Sequence, residues 1–281
     1  MFTKPRSLTF ILFAGGLFAF GPLSTDMYIP SLPRLAQALD TTVPAVQLTL
    51  SVYLLGFALS QLFYGPIADR YGRKPAILIG IALYIVGSAI CMSASSIDVL
   101  VVGRFIQALG AAFGQVLGRA VIRDVITPAE SARILAYATV IMAGTSLISP
   151  TIGGFITVFF DWPYIFAVLL AYASLYFLIV LFWFRESVPI LNPDAIRVAQ
   201  MFSNFGILLH NREFVRNTVS ISFMFACCSH SFRDHLSFSL TSMGCRRPGL
   251  VLSSRRWLVR SPSRLAWSGA WANGYHTNGS M

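Results

Sequence analysis

The sequence predicts an all-α membrane protein built as one bundle of six membrane-spanning helices, and three observations support this fold class. Of the 281 residues, 56% are hydrophobic and 11% are charged, against about 25% charged residues in ordinary soluble domains. The mean hydropathy is +0.68. The apolar residues are also gathered into six long runs, each long enough to cross a bilayer as a helix.

Short polar connections separate the six runs, and the predicted spans are 8–29, 46–68, 76–94, 99–120, 132–159 and 163–184. Lys4 and Arg6 precede the first run, as cations precede the apolar part of a signal peptide. This run is longer than such a segment, however, and it lacks a small-residue cleavage site. We therefore expect it to remain in the protein as the first span.

The charges of the connections predict the orientation of the bundle. If the N-terminus is inside, the outer connections hold one cation, Arg34, beside Asp40, Asp98 and Asp161. The inner side then holds Lys4, Arg6, Arg70, Arg73, Lys74, Arg123, Arg133, Arg185 and Arg197. Because positively charged connections stay in the cytoplasm, the sequence predicts a multi-pass protein with a cytoplasmic N-terminus.

The connection between the second and third spans, residues 65–75, carries two glycines and two prolines. These residues predict a tight turn rather than a helix. A turn this short makes the two spans an antiparallel pair, and its three cations place it in the cytoplasm.

Two of the charged residues that fall inside the predicted spans, Asp26 and Arg104, lie more than two residues from a span end, where a charge is costly. Asp26 lies about 27 Å along the first span, and Arg104 lies a short way into the fourth span from the opposite side. Both therefore belong to the outer half of the membrane at comparable depth. Each can lie at the head-group boundary or line an aqueous cavity, and the helical face of Arg104 favours the cavity.

The face of the fourth span that carries Arg104 is polar at its outer end and lined by glycine further in. At 100° per residue, an arc of about 120° holds Arg104, Gln107, Gly110, Gly114 and Gly118. Glycines spaced four apart allow close approach of a neighbouring helix, and we expect helix packing to be their main role.

In the fifth span, Ser149, Pro150, Gly153 and Gly154 predict a kink at mid-membrane, which serves either structure or gating.

Several motifs resemble those of the major facilitator superfamily. The pattern of Gly65, Asp69, Arg70, Gly72, Arg73 and Lys74 matches the connection between the superfamily's second and third helices, and Arg104 with Gln107 and Gly110 matches its fourth-helix motif. The segment 149–154 resembles the fifth-helix motif of proton-coupled drug antiporters, with Ser149 where glycine is usual. Residues 25–30 and 46–51 further resemble the Bcr/CflA multidrug efflux subfamily.

The resemblance implies an N-terminal six-helix half made of two inverted three-helix repeats, within a twelve-helix transporter of a bacterial inner membrane. It implies drug:proton antiport of small, largely apolar compounds, with the proton gradient as energy source and no cofactor. Asp26 would take up the proton, and Arg104 would pair with Asp26 or join the network of Gln107. The segment 149–154 would form a gating helix.

In the same resemblance, the 65–75 connection is one half of a cytoplasmic latch. Its residues are Gly65, Asp69, Arg70, Gly72, Arg73 and Asp124, and Asp69 would cap an eleventh helix. For Arg70 and Lys74 alone, solvated charges that set topology are the expected role. The aromatic residues Tyr53 and Tyr64 are expected to face a cavity.

The domain organisation follows from where these patterns end. We expect a transmembrane bundle over 1–186, a cytoplasmic linker over 187–213, the start of an incomplete seventh helix over 214–228 and a basic tail over 229–281. The tail holds seven arginines and 11 serines but no lysine. An out-of-frame stretch replacing helices seven to twelve explains it better than a genuine tail that binds anionic lipid or RNA.

Two further interpretations stay open: an inactive half-transporter or membrane scaffold, and a homodimer of six-helix units that restores transport. An enzyme is disfavoured because the spans contain no metal-ligand cluster and no nucleophile–base pair. The expected partners are protons, lipid and a drug-like molecule, with no nucleic acid.

Overall fold

The computed structural model describes residues 7–187, 206 and 209–224, and the described residues of its first compact unit form a helical bundle. A 3₁₀ turn, Ile29–Ser31, joins the first two helices. The helices are α1 (Leu8–Asp26), α2 (Leu32–Ala38), α3 (Val43–Tyr71), α4 (Arg73–Met92), α5 (Ile97–Ala111), α6 (Phe113–Val125), α7 (Pro128–Phe159) and α8 (Pro163–Trp183).

The prediction of six spans in an all-α membrane fold is confirmed. Six stretches are long and apolar enough to cross a membrane, and their ranges are Leu8–Ala38, Val43–Tyr71, Arg73–Met92, Ile97–Val125, Glu130–Phe159 and Pro163–Trp183. The first is longer than predicted, because the chain enters α2 directly after the 3₁₀ turn. The fourth is divided into α5 and α6 at Ala112.

The predicted tight turn over 65–75 is wrong in extent. Helix α3 continues through Pro66 to Tyr71, and α4 starts at Arg73, so the reversal falls on Gly72 alone. Gly72 has φ +99°, a conformation that glycine adopts far more readily than other residues. Pro75 lies in the first turn of α4, where the backbone N–H that proline lacks has no helical partner in any case.

Helix α1 is the central helix of the bundle, and it packs against α5, α6 and α7. Its Phe20 is fully buried and forms close ring contacts with Tyr84, Phe113, Tyr172 and Tyr176, with centroids 5.0–5.5 Å apart. Aromatic rings in such tilted and edge-on arrangements stabilise a core beyond their buried area. The cluster fixes α4, α6 and α8 around the middle of α1.

Three glycines of the fourth span, Gly110, Gly114 and Gly118, allow close helix approach. A Cβ atom at Gly110 would meet the backbone of Tyr84 on α4. On α6, a Cβ atom at Gly114 would meet the carbonyl oxygen of Leu17, and one at Gly118 would lie 2.5 Å from a ring carbon of Phe18. The stripe therefore packs α5 against α4 and α6 against α1.

The described residues beyond 205, namely 206 and 209–224, belong to a second unit. Residues 212–224 are helical, which overlaps the predicted start of a seventh helix at 214–228. Residues 225–228, the tail 229–281, most of the linker, Lys4 and Arg6 lie outside the described residues.

Replacing Gly114 by alanine tests the close approach. We expect the Gly114→Ala variant to be destabilised by about 1–3 kcal/mol, because the added methyl group would overlap the backbone of α1. The matched control is Gly144→Ala in α7, where a Cβ atom meets nothing within 4 Å. That variant should gain up to about 1 kcal/mol from helix propensity.

Thermal unfolding of the detergent-solubilised protein measures both variants. Equal stability of the two variants would contradict a close contact between α1 and α6.

Candidate functional site

Arg104 of α5 is the most unusual residue of the bundle, because its side chain is large, charged and fully buried, with an exposed fraction of 0%. Its Nη1 donates to Oε1 of Gln107 at 2.7 Å and to the backbone carbonyl of Ser24 at 3.2 Å. Ser24 lies in the last turn of α1, where carbonyl groups lack helical partners and the helix dipole is negative. The guanidinium therefore also caps α1.

Aromatic rings surround the same guanidinium. Its central carbon lies 4.5 Å from the ring centre of Tyr28, 4.3 Å from that of Tyr53 and 5.9 Å from that of Phe166. Cation–π attraction is strongest where water is excluded, as it is here. The rings come from three separate parts of the bundle, so this one cation joins the end of α1 to α3 and α8.

A chain of hydrogen bonds extends from this site into the core. Nε2 of Gln107 donates to Oγ of Ser88 at 2.9 Å, and Oγ of Ser88 donates to the backbone carbonyl of Tyr84 at 2.8 Å. The hydroxyl groups of Tyr84 and Ser24 are 2.6 Å apart. The network satisfies most of the polar side-chain atoms near Arg104, but Nε and Nη2 of Arg104 have no hydrogen-bond partner in the described part of the chain.

Asp26 ends α1 and is partly exposed. Its carboxylate accepts a hydrogen bond from Oγ1 of Thr25 at 3.2 Å and interacts with Ser146 of α7. Arg104 contacts the carbonyl of Ser24, two residues before Asp26, so the two charged residues lie at comparable depth. Among the described residues they form no ion pair: of the two pairings that the resemblance implied, the structure contains the one with Gln107.

Three of the predicted latch residues lie together. Nη1 of Arg73 is 2.7 Å from Oδ1 of Asp69, and its Nε is 2.9 Å from Oδ2 of Asp124. The Arg73 side chain is 12% exposed, against 49% for Asp69 and 20% for Asp124. This arrangement joins the end of α3, the start of α4 and the end of α6.

The other predicted latch residues take no part in these ion pairs. The Arg70 guanidinium lies 5.3 Å from the ring centre of Tyr71. A Cβ atom at Gly65 would meet nothing within 4 Å, and Gly72 provides the reversal of the chain.

Glu186 is a residue of this region that the sequence analysis missed. Its carboxylate accepts hydrogen bonds from the backbone N–H groups of Arg73 at 2.8 Å and Lys74 at 3.0 Å, so it caps the N-terminus of α4. In return, Nζ of Lys74 donates to the carbonyl of Leu181 in the last turn of α8 at 2.9 Å. The expectation that Lys74 is only a solvated charge is therefore wrong. In the sequence, Glu186 could have been noticed as an acidic residue just after the sixth span, at the same end of the bundle as the start of α4.

The predicted gating residues lie on α7, which is helical from Pro128 to Phe159. Ser149 is buried, and its Oγ donates to the carbonyl of Thr145 at 2.6 Å. A Cβ atom at Gly153 would meet the carbonyl of Met27, and one at Gly154 would lie 4.0 Å from Pro30. Pro150 lies inside the helix. The two glycines bring α7 against the chain that follows Asp26.

The expectation that Tyr53 and Tyr64 face a cavity is wrong, since they are only 1% and 5% exposed. Tyr53 packs on Arg104, and the hydroxyl of Tyr64 donates to the carbonyl of Leu109 at 2.8 Å. Both tyrosines lie on the inner face of α3, because the groups that they contact, Arg104 and the carbonyl of Leu109, belong to α5 inside the bundle.

Comparison with known proteins places this architecture among membrane transporters. The fold resembles the human organic anion transporter MFSD10 with a TM-score of 0.57 and 16% identity, over 70% of this chain and 53% of that one. The family model described as Major Facilitator Superfamily matches residues 11–254, which extends past residue 228, the predicted end of the family pattern. The chain belongs to the major facilitator superfamily, a family of transporters and not of enzymes.

Two relatives share about a third of their residues with the chain. It is 34% identical over 220 residues to the MFS-type transporter YdgK of Bacillus subtilis (strain 168), which covers 78% of this chain and 54% of the relative. It is 32% identical over 222 residues to the bicyclomycin resistance protein homolog of Haemophilus influenzae, which covers 79% and 56%. The chain spans about half the length of the curated relatives it matches.

Substitution of Tyr53 tests the aromatic enclosure of Arg104. We expect Tyr53→Leu to destabilise the bundle by about 2–3 kcal/mol, because it removes a cation–π contact with a desolvated guanidinium and leaves a void. Tyr53→Phe keeps the ring and loses only the contacts of the hydroxyl group, a long one with the Gly21 carbonyl at 3.4 Å and one with Ser24, so it should cost less than half as much.

Thermal unfolding in detergent gives both values. A loss for Tyr53→Phe as large as that for Tyr53→Leu would show that the hydroxyl group, and not the ring face, supports Arg104.

Proposed function

We propose that this chain supplies the N-terminal half of a proton-coupled efflux transporter, which exchanges protons for small, largely apolar, drug-like compounds. The observation that carries the proposal is Asp26, a partly exposed carboxylate inside an apolar span, with no ion pair among the described residues. An ionisable group in such a place is a candidate proton carrier. The name of the Haemophilus influenzae relative, a bicyclomycin resistance protein homolog, supports a drug as the exported compound.

Antiport follows when the proton and the substrate compete for one carboxylate. Asp26 is partly exposed and therefore accessible to both, whereas Arg104 is fully buried. The pH gradient would then be the only energy source, and the transport would need no cofactor.

The cluster of Asp69, Arg73 and Asp124 supports the second part of the proposal, a latch at one end of the bundle. We propose that this end faces the cytoplasm and that the cluster closes it in the outward-open state. Glu186 and Lys74 join the turn to α8, so that α4 and α8 would move together. The contacts of Gly153 and Gly154 with the chain after Asp26 would transmit proton binding to α7.

A second six-helix unit is part of the proposal, because substrate sites of such transporters lie between two halves. A second copy of this chain is one source of that unit. We expect the protein in the bacterial inner membrane, so crosslinking in vesicles made from that membrane tests for a homodimer. A chain that binds no compound and forms no pair would instead be an inactive half or a membrane scaffold.

The proton carrier is tested with Asp26→Asn. In vesicles that contain the chain, we expect efflux of a lipophilic dye such as ethidium to respond to an imposed pH gradient. The variant should lose this response while expression stays intact, because asparagine cannot exchange a proton. The control is Asp98→Asn, which alters an acid in the first turn of α5. Efflux at the wild-type level in Asp26→Asn would refute the role of Asp26.

The orientation is tested by cysteine labelling in a variant whose four cysteines are replaced by serine. Tyr71→Cys and Asp40→Cys each place one thiol at an exposed position, at opposite ends of α3. In intact cells, we expect an impermeant maleimide to label the cysteine at position 40 only. Labelling at position 71 instead would place the N-terminus outside.

A further inference from the structure

Arg119 is an exposed charge within the fourth span, and neither the latch nor the proton carrier uses it. Arg119 of α6 lies six residues before the end of that helix, at Val125, and its side chain is exposed. Its guanidinium lies 6.0 Å from the ring centre of Phe18 on α1. It forms no hydrogen bond or ion pair with the residues that the structure describes. An unpaired arginine in an apolar span calls for an anionic partner.

The position of Arg119 relative to α1 shows which surface it shares. Phe18, Pro22 and Asp26 follow one another at intervals of four residues, so they lie along one side of α1. Phe18 and Asp26 are eight residues apart, which corresponds to about 12 Å along the helix. Arg119 therefore lies at one end of a surface whose other end carries Asp26.

Gln115 lies between these two charges. It precedes Arg119 by one helical turn and is partly exposed. Its Nε2 lies 3.9 Å from where a Cβ atom of Gly21 would be, beside the ring of Phe57. The surface thus has a cation, an amide, an apolar middle part and a carboxylate, in that order. We refer to this set, Arg119, Gln115, Phe57, Pro22 and Asp26, as the α1–α6 surface.

We propose that Arg119, assisted by Gln115, binds the acidic group of amphipathic compounds whose apolar part lies along the α1–α6 surface toward Asp26. The planar guanidinium can donate two parallel hydrogen bonds to a carboxylate, and the amide can donate a third. Asp26 repels an acid at the opposite end, so the two charges together fix the direction in which such a compound binds. The inference rests on the proposed function in one respect, namely that this surface binds small compounds at all.

Arg104 and Arg73 show what a structural role of an arginine in this bundle looks like. Arg104 is fully buried and bonds Gln107 and a helix carbonyl, while Arg73 is held by two carboxylates. Arg119 has neither arrangement. The remaining role for an exposed arginine is to extend toward the helix end, which is about 9 Å away. In that role the residue would not distinguish one ligand from another.

Matched ligands separate these roles. The full 281-residue chain is placed in nanodiscs of zwitterionic phosphatidylcholine, and equilibrium dialysis at pH 7 measures the binding of two ligands with the same ring system. One is 2-naphthaleneacetic acid, which is ionised, and the other is its neutral amide. We expect the acid to bind about five- to tenfold more tightly than the amide, since a charged acceptor strengthens each hydrogen bond.

Three variants assign this preference to Arg119. Arg119→Gln should bind the amide as the wild type does and lose the preference for the acid. Arg119→Lys keeps the charge and should retain part of the preference. Arg123→Gln, one turn further along α6, removes a neighbouring exposed cation and should retain all of it.

Each result decides between the proposals. Equal binding of acid and amide to the wild type, or an unchanged preference in Arg119→Gln, overturns the assignment of Arg119 while leaving compound binding at this surface intact. A preference lost equally in Arg123→Gln also overturns it, because general positive charge would then be the cause. Binding of neither ligand refutes the underlying proposal of a compound-binding surface.

Discussion

The positive charge of Arg104 has to be accommodated inside an apolar bundle, and this constraint organises the structure around it. A buried charge is tolerated only when surrounding groups replace the water it has lost. Here no carboxylate does so among the described residues. The negative end of α1, the Oε1 atom of Gln107 and the faces of Tyr28 and Tyr53 share the task. The groups that stabilise the buried charge therefore also hold α1, α3, α5 and α8 together.

Helix ends carry much of the remaining polar chemistry. Glu186 lies at the N-terminus of α4 and Lys74 at the C-terminal end of α8, so each charge faces the helix end that its sign favours. Arg104 does the same for α1. In a bilayer the unpaired N–H and C=O groups of helix ends need protein partners wherever water is scarce. The charged residues of this family member therefore support both architecture and the proposed transport.

The charges that remain available lie on the open surface along α1. Asp26 and Arg119 are both at least partly exposed, and neither forms an ion pair among the described residues. An opposite pair of charges separated by an apolar stretch suits compounds that are apolar with a polar end.

The sequence by itself determined the class of fold, the number of spans and the residues that approach most closely. Hydropathy sets the spans because lipid excludes unpaired polar groups, and glycine spacing reveals helix contacts because only glycine permits them. The side on which Tyr53 and Tyr64 lie, the capping role of Glu186 and the helical extension of α3 past Pro66 were decided by the tertiary structure alone. Each depends on a partner far away in the chain, such as Arg104, Leu109 or the start of α4, and local pattern contains no information about such a partner.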